Sequence, residues 1–324
     1  MHTHTNTPSA QTKPLKIAFL GPFGTFTEQA LWQIAPQNAE AVPCTSVPQA
    51  LDLVRSGQAD RAVVPIENSI EGGVNATIDS LSHGSPLVIE AEMVVEVSFE
   101  LAIKPAADGA TPEIQRIGTH PHAWAQCRKW VAANYPDAVH VPATSTAAAA
   151  RLIAEDENPG FDAALCAKTS VERYGLRALH SNVADNRGAV TRFVLVAPLG
   201  NVFPATGADK TTVQVRLPDN EAGALLSMLE QFAARGVNLS RIESRPAGGP
   251  LGSYEFSIDI EGHISEERVA AALIGLHRTC PQVRFIGSYP RADGQRPTIK
   301  AGTKDEDFVN ARAWIAGLMN GTSN

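Results

Sequence analysis

From Leu15 onward, short apolar runs alternate with stretches of helical periodicity. "KIAFLG" reads as a strand and "TEQALWQIA" as a helix. "RAVVPI" is a second strand, and Val74, Ile78 and Leu81 follow it at helical spacing. "QRIGTH" and "PHAWAQCRKWVAA" repeat the theme, then "HVPATS" leads into "TAAAARLIA", and "DAALCA" is another short strand. Strand and helix in alternation predict an α/β sheet with parallel strands. Two extended segments break the rhythm: "AEMVVEVSFELAIKP" at 91–105 and "VTRFVLVAP" at 190–198. A pair of such segments is how a chain enters a second lobe and returns. The reading is therefore two α/β lobes with a cleft between them, 16–94 plus 189–206 and 95–188.

Beyond "GNVFPATGADK" the pattern changes. "TTVQVRLP" is a strand, "AGALLSMLEQFAARG" a helix and "VNLSRIESRP" a strand. "YEFSIDIEG" is a strand, "SEERVAAALIGLHRTC" a helix and "VRFIGSYP" a strand. That order is βαββαβ, the ferredoxin-like split unit, assigned to 207–291. Residues 292–324 carry a weakly amphipathic helix, "DEDFVNARAWIAGLM". Residues 1–15 are polar and read as a disordered tail without the apolar segment of a signal peptide.

Four helices begin just after a strand: at Thr25, where Thr25 to Glu28 fits a capping box; after "PIENSIEGG"; at "GTHP", with Thr119 or His120 as cap and Pro121 in the first helical position; and at "ATSTA", around Ser145. In a parallel sheet these starts share the carboxyl ends of the strands, where open α/β folds bind ligands. Each presents unpaired N–H groups and the positive end of a helix dipole to an anion. "GPFGTFT" has no lysine after its second glycine and does not fit G-x-G-x-x-G, so a nucleotide is not its ligand. His120 and His122 suggest no third metal ligand. The net charge of -7 lacks the basic face of a nucleic-acid binder, and no apolar run approaches the ~20 residues of a membrane span. The four scattered cysteines read as reduced thiols of a cytoplasmic protein.

Several stretches together carry a resemblance: "GPFGTFTEQA", "VPIENSIEGGVNATIDSL", "THPHAWAQC", "YGL", "VTRFVLV", "GALLSMLEQFAARGVNLSRIESRP", "YEFSIDIEGH" and "GSYPRA". They resemble prephenate dehydratases with a C-terminal ACT regulatory domain. The resemblance implies a catalytic part shaped like a type II periplasmic binding protein. It implies conversion of prephenate to phenylpyruvate with loss of water and CO2, without a cofactor, and feedback by L-phenylalanine. It makes Thr191 the catalytic hydroxyl, with Asn68 and Glu67 beside it and Thr25, Phe26, Ser69, Thr119, His122, Ser145 and Phe193 around the substrate. Arg192 is expected either to pair with a substrate carboxylate or to form a structural salt bridge. In the ACT unit, Ala224, Leu225, Asn238, Leu239, Ser240, Glu243 and Ser244 are the candidates for the effector site, with 243–246 at a hinge or interface, and copies associate through this unit as a dimer or a tetramer. The chain departs from the family's Ser-His-Pro-Gln with Thr119 and His122, and from the usual asparagine with Ala189. Two other readings share these lobes: a binding protein without catalysis, and a non-aromatising prephenate decarboxylase.

Overall fold

The computed structural model describes residues 13–218, 221–247 and 253–322. Of the expected tail, 1–12 lie outside the described residues, and 13–15 have no regular structure. The first unit runs β1 (Lys16–Leu20), α1 (Phe26–Ile34), β2 (Glu40–Cys44), α2 (Val47–Arg55), β3 (Arg61–Asn68), β4 (Gly72–Gly73), α3 (Asn75–Ser82) and β5 (Leu87–Glu96). The chain then leaves this sheet. It builds β6 (Glu100–Ile103), β7 (Arg116–Thr119), α4 (Pro121–Asn134), β8 (Val139–Pro142), α5 (Thr146–Glu155), β9 (Ala163–Cys166), α6 (Lys168–Arg173) and β10 (Arg177–His180). It returns through β11 (Val190–Pro198). The first sheet has the order β2-β1-β3-β11-β5, with β4 on β3, and the second β10-β6-β9-β7-β8.

Both sheets are mixed rather than wholly parallel. β1 lies parallel to β2 and β3, whereas the returning β11 is antiparallel to β3 and β5. β7 is parallel to β8 and β9, whereas β6 is antiparallel to β9. A strand that comes back from another sheet enters from the opposite end, which the helix–strand rhythm does not encode.

The third unit is β12 (Asp209–Arg216), α7 (Ala224–Ala233), β13 (Leu239–Pro246), β14 (Tyr254–Glu261), α8 (Glu267–Thr279) and β15 (Gln282–Pro290). Its sheet order, β13-β14-β12-β15, is that of a βαββαβ unit. α9 (Asp305–Met319) follows and buries none of its residues. Arg312 donates to both carboxylate oxygens of Glu267 and ties it to α8.

β11 decides the layout. Its side chains alternate between faces. Phe193 belongs to the core cluster with Ile17, Val63 and Met93 on one face, while Val194 and Val196 join Val64, Leu81 and Ile89 on the other. Ile286 and Tyr289 of β15 sit in that second cluster, so the βαββαβ unit docks on the far face of the first sheet. Gly287 permits the approach, since a Cβ there would run into the Ile89 backbone.

The cysteines are free thiols: Cys44, Cys127 and Cys166 are buried and Cys280 is partly exposed. Burial, with Asp185 beside Cys127 and Glu100 beside Cys166, pushes both thiols up to about 12. Since the thiolate is the reactive form, thiol titration of the native protein is expected to label Cys280 first. Cys127 and Cys166 should react only after denaturation.

Candidate active site

A cavity of about 380 Å³ opens between the two larger sheets. Its walls come from helix starts and from the β3–β11 pair. Gly24, with φ +87, turns the chain into α1, and Thr25 caps that helix by accepting from the Glu28 N–H at 3.3 Å. The capping box is altered, because the Glu28 carboxylate accepts from Gly24 N–H rather than from Thr25. Glu28 also takes Arg173 of α6 at 2.9 Å, and Ser170 donates to the Gly24 carbonyl, so the α1 turn is tied to the other sheet's helix. His120, not Thr119, caps α4: its Nδ1 accepts from His122 N–H, and Pro121 follows where no N–H is needed. Ser145 caps α5 by accepting from Ala148 N–H at 2.9 Å. Thr25, Phe26, His120, His122, Thr144, Ser145 and Thr146 all line the cavity, so three helix N-termini converge on it. The fourth expected start, that of α3, does not reach the cavity and has no side-chain cap.

The floor is the cross-strand pair Thr191 and Asn68. The Asn68 Oδ1 accepts from Ile70 and Glu71 N–H groups at 2.8 and 3.2 Å, an Asx turn that leaves its amide nitrogen facing β11. That nitrogen donates to Thr191 Oγ1 at 2.8 Å. A hydroxyl that accepts there keeps its single proton for another partner, and Thr191 lines the cavity with Phe193. Among the described residues the lining holds no lysine or arginine and a single carboxylate, Glu71. Glu71 reaches across from the β3–β4 turn to His122 Nδ1 at 2.7 Å. Burial, with His122 and His140 nearby, holds the His120 imidazole below its ordinary value, against the pull of Glu71.

Four of the expected site residues lie elsewhere. Arg192 faces away from the cavity: it donates to Glu67 at 3.0 Å, to Glu92 at 2.9 Å and to Asp259 at 2.5 Å. Period-two alternation puts it on the opposite face from Thr191, so it forms the structural salt bridge. Glu67, its cross-strand partner, points the same way for the same reason. Ser69 pins the turn to β11, its Oγ accepting from Val190 N–H at 3.0 Å. Thr119 is fully buried and donates to the Leu165 carbonyl at 2.7 Å across β7 and β9. Glu71, His120 and Gln126 also line the cavity, beyond the site residues that the sequence indicates. The Asx-forming asparagine was the available signal for Glu71, since such a turn folds the chain back over itself.

A second cavity, about 450 Å³, lies in the βαββαβ unit. Ala224, Leu225 and Ser244 line it, with Leu217, Pro218, Glu221, Tyr254 and Phe256. The other four candidates lie outside this lining. Asn238 is exposed and its carbonyl accepts from Glu261 N–H. Leu239 packs into the unit's core, and Ser240 is exposed. Glu243 reaches the first unit instead, where a Cβ on Gly73 would collide with its carboxylate.

Two mixed-sheet α/β units, a cleft edged by helix N-termini and an appended βαββαβ unit define a multi-unit protein of the α/β class. Residues 17–200 match the sequence profile of the family described as prephenate dehydratase. A prephenate dehydratase of Amycolatopsis methanolica is 45% identical over 307 residues, covering 94% of this chain and 98% of that protein. The chain belongs to the prephenate dehydratase family. The structure of the prephenate dehydratase of Arthrobacter aurescens in complex with L-Phe superposes with a TM-score of 0.88 at 50% identity, covering 94% of this chain and 100% of that one. A protein described as a novel type of quorum-quenching acylase shares the fold at 30% identity and a TM-score of 0.75, covering 85% of this chain and 97% of that one.

Proposed function

We propose that the cleft converts prephenate to phenylpyruvate, water and CO2, and that the βαββαβ unit is an ACT domain that takes L-phenylalanine and lowers turnover. The two larger units are then the lobes of a catalytic domain shaped like a type II periplasmic binding protein. The observation that carries the reading is the Asn68–Thr191 hydrogen bond beneath three helix N-termini.

The chemistry fits those groups. The ring-carboxylate C–C bond breaks, its electron pair completes the aromatic ring, and the C–O bond releases hydroxide, which takes a proton from solvent and leaves as water. The Thr191 hydroxyl, held by Asn68, donates to that oxygen as charge builds on it. A threonine is too weak an acid to ionise first, so the contribution is a hydrogen bond that strengthens toward the transition state. The two carboxylates sit at helix N-termini, each worth roughly 0.3–1 kcal/mol to an anion and up to ~2 when partly buried. That arrangement holds a dianion without a lysine or arginine in the lining.

His122, which lines the cavity with Glu71, holds that carboxylate in a 2.7 Å hydrogen bond and so limits its repulsion of the anionic guest. Its replacement by alanine is expected to raise KM about two- to tenfold, the worth of roughly one hydrogen bond, with kcat changed less; steady-state kinetics check this. The reading as a whole is tested by incubating the full chain with prephenate and following the ultraviolet absorbance of phenylpyruvate. Untouched prephenate would favour a binding protein, and a non-aromatic keto acid the decarboxylase. Pairing of two copies through the free edge of β13 is part of the same proposal, and sedimentation velocity tests it.

A further inference from the structure

The residues on either side of a strand cannot face the same way, and here both faces of β11 are occupied. Thr191 looks into the cleft; Arg192, one residue on, is buried at the junction with the ACT unit. Its guanidinium is held by Asp259 of β14, by Glu92 of β5 and by its cross-strand partner Glu67. Asp259 in turn takes Arg241 of β13 at 3.0 and 3.2 Å and the Thr212 hydroxyl at 2.8 Å. Lys210 of β12 pairs with Glu92 at 2.9 Å. Arg241 also donates to Glu243 at 3.3 Å.

Glu243 lies against Gly73, in the β3–β4 segment whose turn carries Asn68 and Glu71. The neighbour of Glu243 on the other face of β13, Ser244, lines the effector cavity. The same alternation therefore operates twice: Ser244 and Glu243 put effector cavity and junction back to back, and Arg192 and Thr191 put junction and cleft back to back. The ladder is irregular at that point. Thr191 pairs with Asn68 and Arg192 with Glu67, but Phe193 pairs with Pro65, which leaves Ile66 as an extra residue. A bulge is where a strand can shift register locally and re-aim a side chain.

We propose that Asp259 is a positioning residue for the cleft: it fixes Arg192, which sets the bearing of Thr191 toward Asn68, and occupation of the effector cavity alters turnover by moving β13 and with it the Arg241–Asp259–Arg192 chain. This rests on the reading of the cleft as a prephenate dehydratase site with an L-phenylalanine effector. The bulged β3–β11 pair is the element through which both sites would act.

The test uses the full chain with Asp259→Asn. Allosteric couplings run roughly 5- to 150-fold, so wild type should respond to L-phenylalanine within that range. The variant should still bind L-phenylalanine in calorimetry while its response falls below about twofold on the same scale, with a lower kcat and a KM close to wild type. A variant inhibited as strongly as wild type overturns the proposal. Should Asp259→Asn fail to fold by circular dichroism, Glu243→Gln takes its place. It leaves the pairs of Asp259 with Arg192 and Arg241 intact, and it is expected to bind effector with a weakened response; full inhibition of this variant overturns the proposal. If wild type does not turn over prephenate, the functional reading fails separately. Hydrogen exchange at Ser69, which donates to the Val190 carbonyl, then decides. A change on adding L-phenylalanine that is absent from the variant supports the coupling, and no change in wild type overturns it.

Discussion

Replacing Thr191 by alanine is expected to lower kcat for prephenate by about 10²–10³-fold, the usual cost of removing one positioned donor from a developing negative charge. Truncation leaves Asn68 without its acceptor on β11, but Asn68 keeps both turn hydrogen bonds to Ile70 and Glu71. The substituted side chain lines the cavity rather than the core, and the packing of Phe193, two residues on, is left undisturbed. The melting temperature should therefore stay close to wild type. KM should move little, because the proposed pose leaves the carboxylates to the N-termini of α1, α4 and α5 and not to this hydroxyl. Thr191→Ser keeps the donor and should recover most of the loss. A kcat within threefold of wild type in the alanine variant would remove Thr191 from the mechanism.

The second large effect is one of stability. Arg192→Ala removes the cation shared by Glu67, Glu92 and Asp259, of which Glu92 keeps Lys210 and Asp259 keeps Arg241, so the loss is expected toward the lower end of the range for a broken buried pair. Breaking a buried ionic pair by deleting one partner costs ~3–5 kcal/mol, and denaturant titration should read a loss near the bottom of that range. The same junction is expected to make the protein acid-sensitive. Burial pushes the Asp259 carboxyl up, but Arg192, Arg241 and Lys210 outweigh it and hold the group well below its usual range. Glu92 is pushed up by burial and pulled down further by Lys210, Arg192 and the Ala292 N–H. Both groups have folded values below their unfolded ones. The stability they contribute is complete above the ordinary carboxylate range and is lost as pH falls below about 4. The unfolding midpoint should drop between about pH 5 and 3 in wild type, with a shallower drop in Arg192→Ala. A midpoint flat across that interval would contradict the account of the junction.

Much of this was legible in the residues. The helix–strand rhythm places α1, α4 and α5, and the change of pattern after residue 206 marks the βαββαβ unit. The capping types Thr25 and Ser145, with Pro121 after His120, mark the helix starts that meet in the cleft. What the rhythm does not carry is the direction of β11, because a returning strand and an advancing one have the same apolar pattern. The two adjacent polar residues Thr191 and Arg192 invited one shared role, yet strand geometry alone forbids it. Period two applied at that point separates them, and it separates Asn68 from Glu67 on β3 in the same way. Thr119 and Ser69 lie outside the cavity because their hydroxyls are spent on neighbouring strands, through partners dozens of residues away in the chain. Glu71 was hidden because its approach to His122 crosses from one unit to the other.

The proposed chemistry requires the Thr191 hydroxyl, beneath the helix starts, to meet the departing oxygen of a dianionic guest. A crystal structure of the protein with a non-reactive cyclohexadienol dicarboxylate tests it most directly. The ligand hydroxyl is expected roughly 2.6–3.2 Å from Thr191 Oγ1, with its carboxylates on the N-termini of α1, α4 or α5. A ligand seated in the same cleft with its hydroxyl turned away from Thr191 would contradict it.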